Sequence, residues 1–158
     1  MAEEILTKIY KYCVYQDRCK SEVVKKLKQL GIEDQRVEPI IEHLEAERYL
    51  DEQRYATSFA RGKFTYKHWG RIKIQHELQS KGIPDDIISE ALAEEVDDEV
   101  YEVKIRKLLQ QKIKQIKDLP DAETRVKLSR YMVQKGYEYD FVNAGIDRLF
   151  ESVSESSN

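Results

Sequence analysis

Three prolines, six glycines, two cysteines and a single tryptophan are all that this 158-residue chain contains of those four residue types. Nine glycines and prolines together are too few for a collagen-like or low-complexity chain and leave long segments free to be helical. Two cysteines, Cys13 and Cys19, cannot build a disulfide framework, and their C-x5-C spacing fits no common zinc pattern. They read as ordinary half-buried thiols on a first helix. No apolar run approaches the roughly 20 residues that cross a bilayer. The opening MAEEILTKIYKYC has acids where a secretory signal has bases. A cytoplasmic protein is expected. No strand alternation and no Asn-Gly hairpin signal occurs, so β architecture is excluded as well.

Helix-forming, charged sequence is what remains, with 36% charged and 41% apolar residues and a net charge of −3. Three glycines, Gly31, Gly82 and Gly136, sit between amphipathic stripes that keep one phase. Four before each lie Leu27, Leu78 and Met132; eight before lie Val23, Ile74 and Leu128. Six after lie Val37, Ile88 and Val142; ten after lie Ile41, Leu92 and Ile146. A base stands eleven before each: Lys20, Arg71 and Arg125. Apolar positions in steps of 4 around a helix-stopping glycine describe two helices joined by a tight turn. The chain therefore reads as all-α, a tandem array of three three-helix units resembling helix-turn-helix modules, curved and elongated. The expected units are 1–48, 49–96 and 97–150, with 151–158 a disordered tail.

Local signals refine this. The first helix should cover 3–15, and Asp17 or Ser21 should cap a second one running to Leu30. Asp34 should cap a third, with Pro39 near its first turn. Asp51 and Asp121 should cap further helices, a long helix should begin at Asp97, and Pro84 should open the helix through Leu92. Phe64–Gly70 (FTYKHWG) reads as the least regular stretch, Pro120 as a break, and the last helix as Tyr139–Phe150.

The charges are segregated. Residues 61–81 carry six bases against one acid, 82–103 nine acids and no base, and 104–117 six bases and no acid. Such blocks suit a polarised surface, or basic and acidic helices that neutralise one another. Third helices that are acidic or neutral argue against readout of a DNA major groove. His43, His68 and His76 have no neighbouring nucleophile, no Gly-rich phosphate loop occurs, and the acids of 94–99 lack a calcium-loop pattern. No enzyme, metal or cofactor is expected.

The middle of the chain carries a recognisable signature. YLDEQRYATSFARGKF followed by GRIKIQHELQSKGI resembles the signature region of the RecX family, regulators of the bacterial RecA recombinase. Tyr49, Leu50, Asp51, Arg54, Tyr55, Ala56 and Phe59 match its first half; Gly70, Lys73, Ile74, Glu77, Leu78, Lys81, Gly82 and Ile83 match its second. Glu52 stands where a second Asp is usual, and Arg71 where Pro often follows the glycine. The resemblance implies a non-enzymatic monomer that binds the RecA–single-stranded DNA filament and restrains its ATPase and strand exchange in recombination and DNA repair. The alternative is a nucleic-acid-binding helical-repeat protein acting without RecA, and weak direct DNA binding fits either. The candidate contact residues are Arg61, Lys63, Lys67, Arg71 and Lys73, interleaved with Tyr66 and Trp69, because bases neutralise phosphates and aromatics stack on unpaired bases. A second set is Lys104, Arg106, Lys107, Lys112 and Lys114 on one amphipathic helix. Phe64 and Trp69 are also readable as core residues, and Asp98 or Glu102 as partners of lysines at i+4 or nearby.

Overall fold

The protein is described here by a computed structural model covering residues 2–116 and 121–156. The described residues form nine α-helices and no strand: α1 (Ala2–Tyr15), α2 (Lys20–Gln29), α3 (Asp34–Ala46), α4 (Glu52–Lys67), α5 (Arg71–Ser80), α6 (Asp85–Glu95), α7 (Asp98–Ile116), α8 (Ala122–Gln134) and α9 (Tyr139–Ser156). They fall into three successive triplets, as the glycine spacing predicts. Pro120 lies outside the described residues.

Each second helix ends in the same way. Gly31, Gly82 and Gly136 take φ of +89°, +80° and +97°, where a side chain is disfavoured. Each glycine N–H bonds the carbonyl three residues back, at 3.1, 2.9 and 3.0 Å. The N–H of the following residue (Ile32, Ile83, Tyr137) reaches the carbonyl of Leu27, Leu78 or Met132. This is a Schellman cap repeated three times, and the three residues after the glycines are buried as its apolar contact. Among the twelve apolar repeat positions eleven are buried, and Leu92 is half-buried. The bases eleven before the glycines are structural. Lys20 pairs with Glu38 at 3.3 Å, and Arg125 bonds Asn143 at 3.2 Å and also pairs with Asp147. Glu38 and Asn143 both lie seven residues after their glycine, so the same second-to-third-helix link recurs. Ser89 holds that place in the middle triplet, and Arg71 turns elsewhere.

The chain divides into two compact units, Met1–Phe59 with Glu77–Ala91, and Ala60–His76 with Leu92–Asn158. In the first, Ile9, Cys13, Val23, Leu27, Ile41 and Leu44 form the centre of the core. Leu50 closes it, and burying a side chain of this size contributes roughly 1.5–3 kcal/mol. In the second, fully buried Tyr101 stacks on Tyr137 with ring centroids 5.0 Å apart, and Phe141 meets it edge-on at 5.3 Å. The Tyr101 hydroxyl donates to Glu138 and accepts from the Arg71 N–H at 3.0 Å, so the buried oxygen is satisfied. Within this unit Gly70 lies against the Gly136 turn: Gly70 N–H bonds the Lys135 carbonyl at 2.7 Å, and Ile72 N–H the Gly136 carbonyl at 2.9 Å.

Several local expectations are corrected. Cys19, not Asp17 or Ser21, is the N-cap of α2, so it does not belong to the first helix. The Glu22 carboxylate accepts from its backbone N–H at 3.2 Å and from its thiol at 3.1 Å. Burial pushes both Cys13 and Cys19 thiols up from their ordinary pKa. Glu33, not Asp34, is the N-cap of α3, and Pro39 is its sixth residue. Pro84 precedes α6 and accepts the Ile88 N–H at 3.1 Å. Helix α4 runs through Phe64, Thr65 and Tyr66 to Lys67, because buried Phe64 anchors its last turns, and it ends where His68 takes φ +60°. Helix α9 continues to Ser156, so 151–156 are helical rather than part of a disordered tail. Asp51 and Asp121 do cap their helices, accepting from Arg54 and Thr124 N–H at 3.0 and 2.8 Å. Asp97, expected as the first residue of its helix, instead caps α7 by accepting from Val100 N–H at 2.9 Å.

Candidate nucleic-acid and filament interface

The ten basic candidates all lie in the second compact unit, and the structure sorts them into two roles. Two arginines are drawn into the acidic block. Arg61 makes a two-pronged pair with Glu95, at 3.0 and 2.7 Å. Arg71 has only 19% of its side chain exposed. Its guanidinium donates to the Val96 carbonyl at 2.6 and 3.1 Å and to Asp98 at 2.8 Å, and it stands 3.5 Å from Glu138. Its carbon also lies 4.2 Å from the Tyr101 ring centroid. A planar five-donor fork suits this many-sided role, which a lysine could not fill. Part of the charge segregation is therefore internal neutralisation. Glu102 lies 3.9 Å from Arg148 and Asp98 pairs with Arg71, so neither expected lysine pairing on α7 is the contact made.

The lysines are arranged differently. Trp69 is half-buried in the link between α4 and α5, with the Lys63 and Lys73 ammonium groups 4.9 and 4.5 Å from its ring centroid. It is therefore neither a sealed core plug nor a bare stacking platform. Phe64 beside it is core. Lys67 and Tyr66 are solvent-exposed at the end of α4, Tyr66 by 79%. Helix geometry places Lys104, Lys107 and Lys114 on one stripe of α7, at steps of 3 and 7, while Arg106 faces away from it. The Lys104 Nζ lies 3.0 Å from His68 Nδ1 and 4.9 Å from the Phe64 ring centroid, which brings the first and second basic sets together. Lys107 and Lys114 are exposed, as is Arg106. Lys112 stands 4.6 Å from the Tyr131 ring centroid.

Two members of this surface carry no signal in the basic blocks. Lys135 lies 5.3 Å from the same Tyr131 ring, so that tyrosine is flanked by two lysines. The residue before the turn glycine is also lysine in the middle triplet, Lys81, and that repeat register was the available clue. The electrostatics agree with a positive cluster. Burial first, then Lys104 and Lys135, hold the His68 pKa below its ordinary value. Burial and then Lys107 hold that of Lys104 down. Such a surface, cations interleaved with aromatic rings, can neutralise phosphates and receive unpaired bases. His43, by contrast, bonds the Tyr10 hydroxyl at 2.8 Å and faces no nucleophile. Among the described residues no group of three or more His, Cys, Asp or Glu could hold a metal ion, and no helix is long and apolar enough to cross a membrane.

Residues 51–92 match the second three-helix domain of RecX and residues 99–144 the third, together more than half of the chain. The chain is 29% identical over 140 residues to the regulatory protein RecX of Prosthecochloris aestuarii, covering 87% of this chain and 88% of that one. It is 32% identical over 133 residues to the regulatory protein RecX of Streptococcus uberis, covering 84% of this chain and 50% of that one. Thus it spans most of one relative and half of the other. A crystal structure of RecX from Lactobacillus salivarius superposes with a TM-score of 0.83 at 26% identity, over 93% of this chain and 97% of that one.

Proposed function

The chain belongs to the RecX family, and from that premise we propose that it is a non-enzymatic regulator that binds the RecA–single-stranded DNA filament and lowers its ATPase and strand-exchange activity. The observation that carries this reading is the cluster of Lys63, Trp69 and Lys73 with Lys104, His68 and Lys107, where cations and rings alternate on one compact unit. A filament of protein on DNA presents both acidic protein surface and phosphates, and a partner of mixed charge with a local basic cluster is complementary to both. The lysines do the contacting in this reading, whereas Arg61 and Arg71 hold the unit together through Glu95, Val96, Asp98 and Glu138.

The test is RecA ATP hydrolysis on single-stranded DNA, titrated with this protein. Saturable inhibition at substoichiometric protein supports filament regulation. Inhibition that appears only in excess over DNA sites, and is relieved by more DNA, returns the reading to a plain nucleic-acid binder. No inhibition refutes it. A variant with Lys63, Lys67 and Lys73 changed to Ala, and both arginines kept, should inhibit less while melting as the parent does. Including Arg71→Ala in that set would confuse binding with unfolding.

A further inference from the structure

A second basic and aromatic surface lies in the first compact unit, which holds none of the ten basic candidates above. Between α1 and α2 runs an open groove of ≈ 390 Å³ lined by Lys8, Lys11, Tyr12, Tyr15, Arg18 and Lys26, with Leu30 at one end. Four cations and two phenol rings make up that lining, and no acid is part of it. The Arg18 guanidinium lies 3.7 Å from the Tyr12 ring centroid, and Lys26 Nζ 5.5 Å from it. Arg18 is fixed in place by its Nε bond to the Tyr12 carbonyl at 3.0 Å and by Glu22 at 3.8 Å. Tyr15, the last residue of α1, has 82% of its surface in water. Its ring lines the same groove as these cations and is open to a stacking partner.

We propose that the α1–α2 groove is a separate contact for single-stranded nucleic acid, with backbone phosphates on Lys8, Lys11 and Lys26 and an unpaired base stacked on Tyr15. Two observations favour this ligand over an acidic peptide. The groove alternates rings with cations, and rings add a stacking surface that carboxylates do not use. The same face recurs in the third triplet with the residue types exchanged. There the tyrosine is Tyr131, five before Gly136, and the first helix supplies the cation, Lys112. In the first triplet Lys26 stands five before Gly31 and the first helix supplies the ring, Tyr12. A face that keeps a cation–ring pair while swapping its members between helices points to the pair, not the individual side chain, as the useful unit. The proposal rests on the filament reading only for its biological setting; binding of DNA by the protein alone tests it separately.

The experiment is fluorescence anisotropy of a labelled thymidine oligonucleotide with the full chain, without RecA, over a series of salt concentrations. Changing Lys8, Lys11 and Lys26 together to Ala should lower the slope of log affinity against log salt by about 2, at roughly 0.7 per phosphate contact on single strands. Tyr15→Ala should weaken binding about tenfold with the slope kept, because stacking is not ionic. Lys8→Ala with Lys11→Ala, two exposed positions, should lower the slope by about 1.4 even if Lys26→Ala disturbs packing on Tyr12. Parental affinity and slope in the folded double variant overturn the proposal. So does a loss confined to a polyglutamate probe, which would make the occupant an acidic protein. Intact inhibition of RecA by the wild-type protein alongside absent DNA binding would reject the groove and leave the filament reading standing.

Discussion

Alanine at Gly136, Gly31 and Gly70 separates two penalties that repeat glycines can hide. Gly31 has φ +89° with open space where a Cβ would stand, so alanine there meets only the left-handed conformation, about 1–2 kcal/mol. Gly70 has no such φ, but its Cβ would overlap the carbonyl and carbonyl carbon of Gly136. Both are backbone atoms fixed by the Gly70–Lys135 and Ile72–Gly136 hydrogen bonds, so alanine there should cost about 1–3 kcal/mol of overpacking. Gly136 combines both: φ is +97°, and its Cβ would stand 2.7 Å from Lys73 N and overlap Lys73 Cβ. The expected loss is about 2–5 kcal/mol, the sum of the two. A smaller gain from restricting the unfolded chain, about 0.4–1 kcal/mol, offsets all three alike and leaves their order unchanged. Urea unfolding read by helical circular dichroism gives each value from midpoint and slope. Equal losses for Gly31→Ala and Gly136→Ala would refute the reasoning, because the close approach at Gly136 would then carry no energetic weight.

Arg71→Lys should lose about 2–3 kcal/mol in the same assay, since it leaves the buried Val96 carbonyl without its forked donor; a loss no larger than Arg61→Lys would contradict this. Replacing the Asp121 cap with Ala should cost about 1 kcal/mol through the Thr124 N–H, measurable as a lower melting temperature. His68 is held below its ordinary pKa in the folded state, so the unfolded chain takes up a proton first as pH falls. The contribution is present above the unfolded value near 6.5 and is lost progressively below it, and His68→Gln should flatten that part of the stability–pH curve. An unchanged curve would mean that neither burial nor the charges of Lys104 and Lys135 act on this ring.

The repeat was legible because it is a backbone requirement written in a residue type. Only glycine sits easily at φ near +90°, and the flanking apolar steps of 4 have no reading but helices with one buried face. The caps at Asp51 and Asp121 were legible for the same local reason. The cap at Cys19 was not, because a thiol carries little capping signal and Glu22, three residues on, does the bonding. The end of α4 was not legible because FTYKHWG is poor in helix formers. Burial of Phe64 outweighs tenths of a kcal/mol of propensity per residue. The RecX-like signature at 49–83 marked the family, although these of its residues are structural: Leu50 and Tyr55 are core, Asp51 is a cap, and Arg54 pairs with Asp17 at 2.8 Å.

The candidate site divides along the same line. Blocks of charge were visible in the sequence, but the destination of each charge was not. Arg61 and Arg71 come from the same basic run as Lys63 and Lys73, yet the first two meet Glu95 and Asp98 while the last two flank Trp69. The run from Lys8 to Lys28, with seven bases against Asp17 and Glu22, is equally basic, but only the packing of α1 and α2 aligns its rings and cations along one groove. Helix identity, turn position and core face follow from interactions a few residues long, and these the sequence states by itself. Pairing of charges across tens of residues depends on which helix faces come within about 4 Å, a distance only the packed tertiary structure sets.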